Sequence, residues 1–365
     1  MKKRLGSVVR SIPLPVAIVA VGLMVAGAIL FAPKAKTSVT NAAKTAPDVS
    51  KVQACSGSDN KFQCYADFFK AKTKAASALA AINDLKKLYE KDEYAKSQCH
   101  QLIHVVGREA YFKYGSLANA YTKGDAFCWS GYYHGVTEQA IGDLGAERMR
   151  KEANNVCAEL AAKQKYSFDH YNCVHGLGHG FMTVESFDLF KALKTCDVLK
   201  DSWERSSCYG GAFMENVMVA VREEGESKFL RPGELMYPCT AVEETYKDQC
   251  YLMQTSYALQ QTGYDFAKVA KLCQELPDTS YVSTCYQSLG RDASGSTLSD
   301  VARTKANCEK ALDGLGLESC MLGAVRDFIS FHHSDTQAKE FCNAFDDKTL
   351  TTRCLQEVKD YYATF

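Results

Sequence analysis

Five of the eight histidines in this 365-residue chain fall in one stretch at helical spacing. His100 and His104 are four apart, as are His175 and His179, and His134 and Glu138 stand four apart between those pairs. Residues at i and i+4 share one face of a helix, so each pair offers two side chains to a common point. Imidazole suits zinc, copper, iron and nickel, and helical bundles build such sites from facing helices. A catalytic zinc site takes three protein ligands and keeps one position open, so five imidazoles exceed one such site and allow a dinuclear centre. His100, His104, His134, His175 and His179 are therefore the candidate metal ligands. Glu138 and Glu215 are the candidate catalytic bases, each suited to activating a metal-bound water. The expected cofactor is a divalent transition metal (zinc, copper or iron), with a bis-histidine haem the lesser option. The implied chemistry is metal-dependent hydrolysis or oxidation–reduction on a small molecule or polymer. The chain carries no GxSxG, Walker, Rossmann or HExxH motif.

Two other functions draw on the same residues. An interaction scaffold would repeat polar side chains along a concave face, and its histidines would not converge. A copper storage or delivery protein would add Met182, Met214 and Met218 to the histidines. Outside the cluster, His170 reads as a loop residue or a support for a ligand, and His332 and His333 as solvated residues at a helix end. Trp129, Tyr132, Tyr133 and Phe213 read as core, with Tyr133 placed to line a pocket. Arg291-Asp292 and Arg326-Asp327 read as ion pairs between neighbouring repeats, with an anion-binding concave surface as the sharper alternative.

The histidines acquire a register from the cysteines. The chain has 16 cysteines, all after residue 54. Cys196 and Cys208 are 12 apart, as are Cys273 and Cys285, Cys308 and Cys320, and Cys342 and Cys354. Cys250, Cys285, Cys320 and Cys354 recur every 34 or 35 residues, the signature of stacked repeats. Each unit opens on an aspartate (Asp188, Asp265, Asp300, Asp335), a residue favoured as N-cap because its carboxylate accepts an unpaired backbone N–H. The unit reads as a helical hairpin, with one cysteine late in helix A and the other early in helix B. Spacing favours sequential pairing: 55–64, 99–128, 157–173, 196–208, 239–250, 273–285, 308–320 and 342–354. Of these, 99–128 departs most from the pattern, since both cysteines look like helix-B starts. Six residues past the second cysteine stand His134, His179, Met214, Ser256, Arg291 and Arg326, and His104 is five past Cys99. The third segment, His175-Gly-Leu-Gly-His-Gly, carries a conflict. Each glycine costs about 1 kcal/mol of helix stability relative to alanine. As a loop it would part His175 from His179; as a helix its glycines would permit close backbone approach.

The period and hairpin grammar over residues 55–365 resemble the α/α solenoids of the tetratricopeptide and Sel1-like kind, in their disulfide-stapled form. The consensus Trp/Leu-Gly/Tyr patterns of those repeats do not line up, so the resemblance implies a fold and no activity. The expected fold is all-α: an α/α hairpin solenoid of about eight Cys-stapled units, preceded by one N-terminal transmembrane helix.

That helix is read from residues 13–32. Leu14 to Ala32 lacks any charged residue and follows Lys2, Lys3, Arg4 and Arg10. As a helix it would span roughly 28 Å, close to the ~30 Å hydrocarbon core. The positive-inside rule puts residues 1–12 in the cytoplasm and the rest outside a cell membrane crossed once; a cleaved signal peptide is the competing reading. Residues 33–51 read as a flexible stalk, 52–220 as His-rich repeats and 221–365 as further Cys-stapled repeats. An oxidising, extracytoplasmic setting agrees with the cysteine count. Lys plus Arg equals Asp plus Glu at 43 each, which argues against a nucleic-acid partner. The expected partners are the membrane, through the N-terminal helix, and an unknown small molecule or polymer on the concave face.

Overall fold

A computed structural model describes residues 46–219 and 227–365. The expected membrane-spanning segment 13–32, the tail before it and most of the stalk lie outside the described residues. Among the described residues no helix is long and apolar enough to cross a membrane.

A 3-10 turn, Val49–Gly57, leads into α1 (Lys61–Ala75), α2 (Ala78–Tyr89), α3 (Glu93–Ser97), α4 (Cys99–Tyr114), α5 (Leu117–Tyr121) and α6 (Gly131–Leu144). Next come α7 (Ala146–Val156), α8 (Ala158–Lys163), α9 (Phe168–Val184), α10 (Leu189–Cys196), α11 (Ser202–Val219) and α12 (Glu244–Gln261). The chain ends with α13 (Phe266–Gln274), α14 (Thr279–Ser296), α15 (Val301–Cys308), α16 (Gly314–His332), α17 (Thr336–Asn343) and α18 (Lys348–Tyr362). No strand occurs among the described residues.

The long helices α1, α4, α6, α9, α11, α12, α14, α16 and α18 pack each on the next and form an inner layer. Shorter helices flank them. Eight disulfides join each outer segment to an inner helix, in the sequential pairing that the spacing favours. Every cysteine is bridged. Each bridge closes a short loop and restricts the unfolded chain, about 2–3 kcal/mol per bridge in the chain-entropy account. The N-cap rule holds for Asp188, Asp265 and Asp300, whose carboxylates accept the N–H three residues on. It fails at Asp335, which makes no cap bond and pairs with Lys339 instead. Asp278, Asp313 and Asp347 cap the inner helices α14, α16 and α18, accepting the N–H groups of Ser280, of Gly316, and of Thr349 and Leu350.

Glycine sets the distance between inner helices. A methyl on Gly107 would overlap the Tyr132 carbonyl oxygen, and one on Gly135 the His104 carbonyl, so α4 and α6 touch backbone to backbone. Gly178 and Gly211 do the same for α9 and α11, each facing a carbonyl of the other helix. The segment His175–Gly180 is thus helical, and its glycines serve close approach.

The array curls further than an open solenoid. The Phe168 N–H, at the start of α9, donates to the Thr364 carbonyl at 3.0 Å. The Phe168 ring stacks on Phe365, with centroids 4.2 Å apart. Phe127 meets Phe331 at 5.7 Å, and the Trp129 indole lies against Gly295 of α14. The expected concave face is therefore the wall of a chamber.

Candidate metal centre

The histidines sit on consecutive inner helices, where the disulfides fix helix order and the glycines fix spacing. α4 supplies His100 and His104, α6 supplies His134, and α9 supplies His175 and His179. All five are buried, none more than 5% exposed. They converge, with ring centroids 4.5 Å apart for His134 and His179, 4.6 Å for His100 and His104, and 5.0 Å for His134 and His175. Three groups bring one ligand atom per residue within 4.8 Å of one another: His100, His104 and His134; His134, His175 and His179; and Glu138, His179 and Glu215.

The hydrogen bonds identify which nitrogens are free. His100 Nδ1 lies 2.8 Å from the Cys128 carbonyl oxygen, an acceptor only, so it donates and leaves Nε2 with its lone pair. His104 Nδ1 lies 3.1 Å from Glu138 Oε1 and donates likewise. The two bare Nε2 atoms then face each other at 3.0 Å. Lone pair against lone pair at that distance is repulsive, and a shared proton or cation relieves it. His179 Nδ1 donates to Glu215 Oε2 at 2.8 Å, leaving Nε2 buried without a partner. His175 Nδ1 meets the Tyr171 hydroxyl at 3.2 Å, and its Nε2 is also buried and unpartnered, as is His134 Nδ1. Buried polar atoms rarely stand alone, so three in one cluster call for a bound group.

Protons are a poor candidate. Burial holds His100, His104, His134 and His175 below the ordinary imidazole range. Neighbouring histidines add to that depression: His104 acts on His100, and His179 on the other three. Neutral imidazoles are the form that binds metal. Glu138 resists burial, which pushes its carboxyl up. His104 and Arg108, 2.7 Å from its other oxygen, hold it well below the ordinary carboxylate range.

Both glutamates named from sequence are at the centre. Glu138 stands behind His104 and Glu215 behind His179, on the nitrogen opposite the free one. A carboxylate there fixes the ring's tautomer and orientation and raises its basicity as a ligand.

The centre borders two cavities. One of about 350 Å³ is lined by His134, His175, Tyr171 and Trp203, and by Arg326 and Asp327 from α16. The other, of about 240 Å³, is lined by His100, Met218 and Ser256 among others. Trp129, Met214, Met253 and Arg291 line both. Trp129 is thus a chamber residue and not core, whereas Tyr132, Tyr133 and Phe213 are buried as expected. Cys128, Trp129 and Ser130 all adopt positive φ (56°, 54° and 59°), a conformation that costs non-glycine residues roughly 1–2 kcal/mol each. This segment supplies the Cys128 carbonyl to His100 and Trp129 to the chamber.

The remaining expectations divide. His170 is a buried helical residue, not a loop one; it pairs with Glu204 at 3.1 Å and belongs to none of the three groups. His332 and His333 stand at the end of α16 as expected: His333 is its exposed C-cap, with its ring against Phe168 and Phe365, whereas His332 is half-buried with its Nε2 enclosed. Arg291 bonds its neighbour Asp292 and the Leu252 carbonyl of α12. Arg326 links adjacent repeats through Glu357 and Gln287. Met182 is core, while Met214 and Met218 reach the cavities. Asp327 is not an ion-pair partner of Arg326, which bonds Glu357 and Gln287 instead. It is 6% exposed, its Oδ2 is unpartnered, and burial pushes its carboxyl up to about 7 against the pull of Ser294 and Arg291.

Comparison of the chain with protein families, curated proteins and solved structures finds no match.

Proposed function

We propose that this is an extracytoplasmic metalloprotein whose inner helices hold a transition metal on buried imidazoles beside a chamber for a small molecule. The observation that carries this reading is the set of buried imidazole nitrogens on His134, His175 and His179 that have no partner, next to the facing Nε2 atoms of His100 and His104. An all-imidazole set backed by carboxylates suits zinc, copper or iron. It suits haem poorly: His100 and His104 present their nitrogens side by side, whereas a bis-histidine haem needs them on opposite faces of a ring. When bound, the metal supplies Lewis acidity or electron transfer at the chamber wall. Glu138 and Glu215 orient the ligands, and Asp327 offers a protonatable carboxyl on another part of the wall. Bridging of all 16 cysteines supports an oxidising compartment. A peptide-binding scaffold gains no support, since the histidines converge and the C-terminus closes over the groove.

Elemental analysis of the full chain, purified with its disulfides intact, tests the reading. Transition metal in the wild-type protein and its loss in His134→Ala and His179→Ala are expected. A protein that is metal-free as purified, takes up none, and is unchanged by either substitution refutes it.

A further inference from the structure

The five imidazoles do not all come within reach of one ion: among the described residues no group of four or five of them keeps one ligand atom each within 4.8 Å. Ligand nitrogens about 2.0–2.1 Å from an ion lie at most about 4.2 Å apart. The histidines instead form two all-imidazole triads, His100/His104/His134 and His134/His175/His179, each with its ligand atoms within 4.8 Å, beside a third group of Glu138, His179 and Glu215. We propose that the centre holds two transition-metal ions, one on each triad, with His134 shared between them as an imidazolate whose N–H proton is released to solvent when the second ion binds.

This rests on the metal reading and deepens it with independent observations from each half. In the first triad, His100 Nε2 and His104 Nε2 are 3.0 Å apart. Bonds of about 2.05 Å from one ion to both would enclose an angle of about 95°, an ordinary cis pair. In the second, the free atoms are His175 Nε2 and His179 Nε2. A single ion in either triad leaves the other triad's unmet nitrogens unexplained. The His134 ring stacks on His179 at 4.5 Å and lies 5.4 and 5.5 Å from His100 and His104, between the two pairs. Its Nδ1 has no partner. Each pair has its own carboxylate, Glu138 behind His104 and Glu215 behind His179. The ions also differ in outlook. His100 borders the 240 Å³ cavity, and His134 and His175 the 350 Å³ one.

The test uses the full chain, stripped with a chelator and titrated with zinc ions, with bound zinc counted after gel filtration. Two zinc ions per wild-type chain are expected, with one retained by His100→Ala and one by His175→Ala. One ion in the wild type, lost entirely in either variant, overturns the two-ion assignment and leaves the metal reading standing. Two ions retained in both variants also overturns the assignment. A wild type that binds neither zinc nor copper overturns the metal reading itself. Copper(II)-loaded wild-type protein gives a second readout that needs no substitution. Electron paramagnetic resonance should show two magnetically coupled ions, and the spectrum of isolated copper alone refutes the pairing.

Discussion

Glu138→Gln separates a ligand-orienting carboxylate from a catalytic base. In the native protein Oε1 accepts from His104 Nδ1 at 3.1 Å and Oε2 accepts from Arg108 at 2.7 Å. A carboxylate serves both donors, but glutamine has one acceptor oxygen and one NH2. Whichever way the amide turns, a donor faces either the His104 N–H or the Arg108 guanidinium. The His104 ring then loses its anchor or gains a poorly seated one, and its Nε2 becomes a weaker ligand. Loss of such an outer carboxylate costs about 10–100-fold in metal affinity, or about 1.4–2.7 kcal/mol. Arg108 is 38% exposed and regains water, so the metal-free protein should lose stability chiefly through the unmet buried His104 N–H, about 1–3 kcal/mol. The assay is competition for zinc against a chromophoric chelator at neutral pH, beside thermal melts of the metal-free protein. A variant within twofold of wild-type affinity would refute the orienting role. Loss of turnover at unchanged affinity would restore Glu138 to the role of base.

Gly178→Ala should cost roughly 1–3 kcal/mol, because the new methyl meets the Cys208 carbonyl and forces α9 away from α11. Metal affinity should fall with it, since the His179–Glu215 bond spans the same crossing. Gly142→Ala is the control: its methyl meets nothing nearer than Gln139 Nε2 at 4.0 Å, so alanine's higher helix propensity should stabilise α6 by up to about 1 kcal/mol. Equal melting temperatures for Gly178→Ala and wild type would sink the close-approach argument. Asp327 makes stability fall as pH rises. Below about pH 4 both folded and unfolded states hold its proton. Between there and about 7 only the folded state does, so stability present at the acid end is lost across that window. The full effect is on the order of 4 kcal/mol, three pH units at about 1.4 kcal/mol each. Asp327→Asn lacks this term, so denaturant titrations should show the variant gaining on wild type from pH 4 to 7. A constant gap would mean that Asp327 titrates normally.

The part of the centre that was legible in the sequence was legible through one device. A disulfide near the start of each inner helix fixes where that helix is pinned, so residues counted from Cys99, Cys128 and Cys173 share an inward face. Helix formation over His175–Gly180 was the weak step, because propensity argued against it. Tertiary packing decided it: only glycine lets α9 meet the Cys208 carbonyl of α11. The same residues that weaken the helix therefore bring His179 within reach of Glu215. What the count could not show is how far the array curls. The contacts between Phe168 and Phe365, and between Trp129 and Gly295, join elements at least 160 residues apart, and no local period encodes them. For that reason the sequence places Trp129 in the core and Asp327 in an ion pair, and not on a chamber wall. Each becomes a chamber residue only once α14 to α18 return to face α6 and α9. Position along a repeat thus reveals which side chains point inward, and curvature determines what they point at. The five histidines were found because their neighbours are consecutive inner helices, where register alone is sufficient. The opposite wall, where a substrate would meet Asp327, depends on closure and had to be seen.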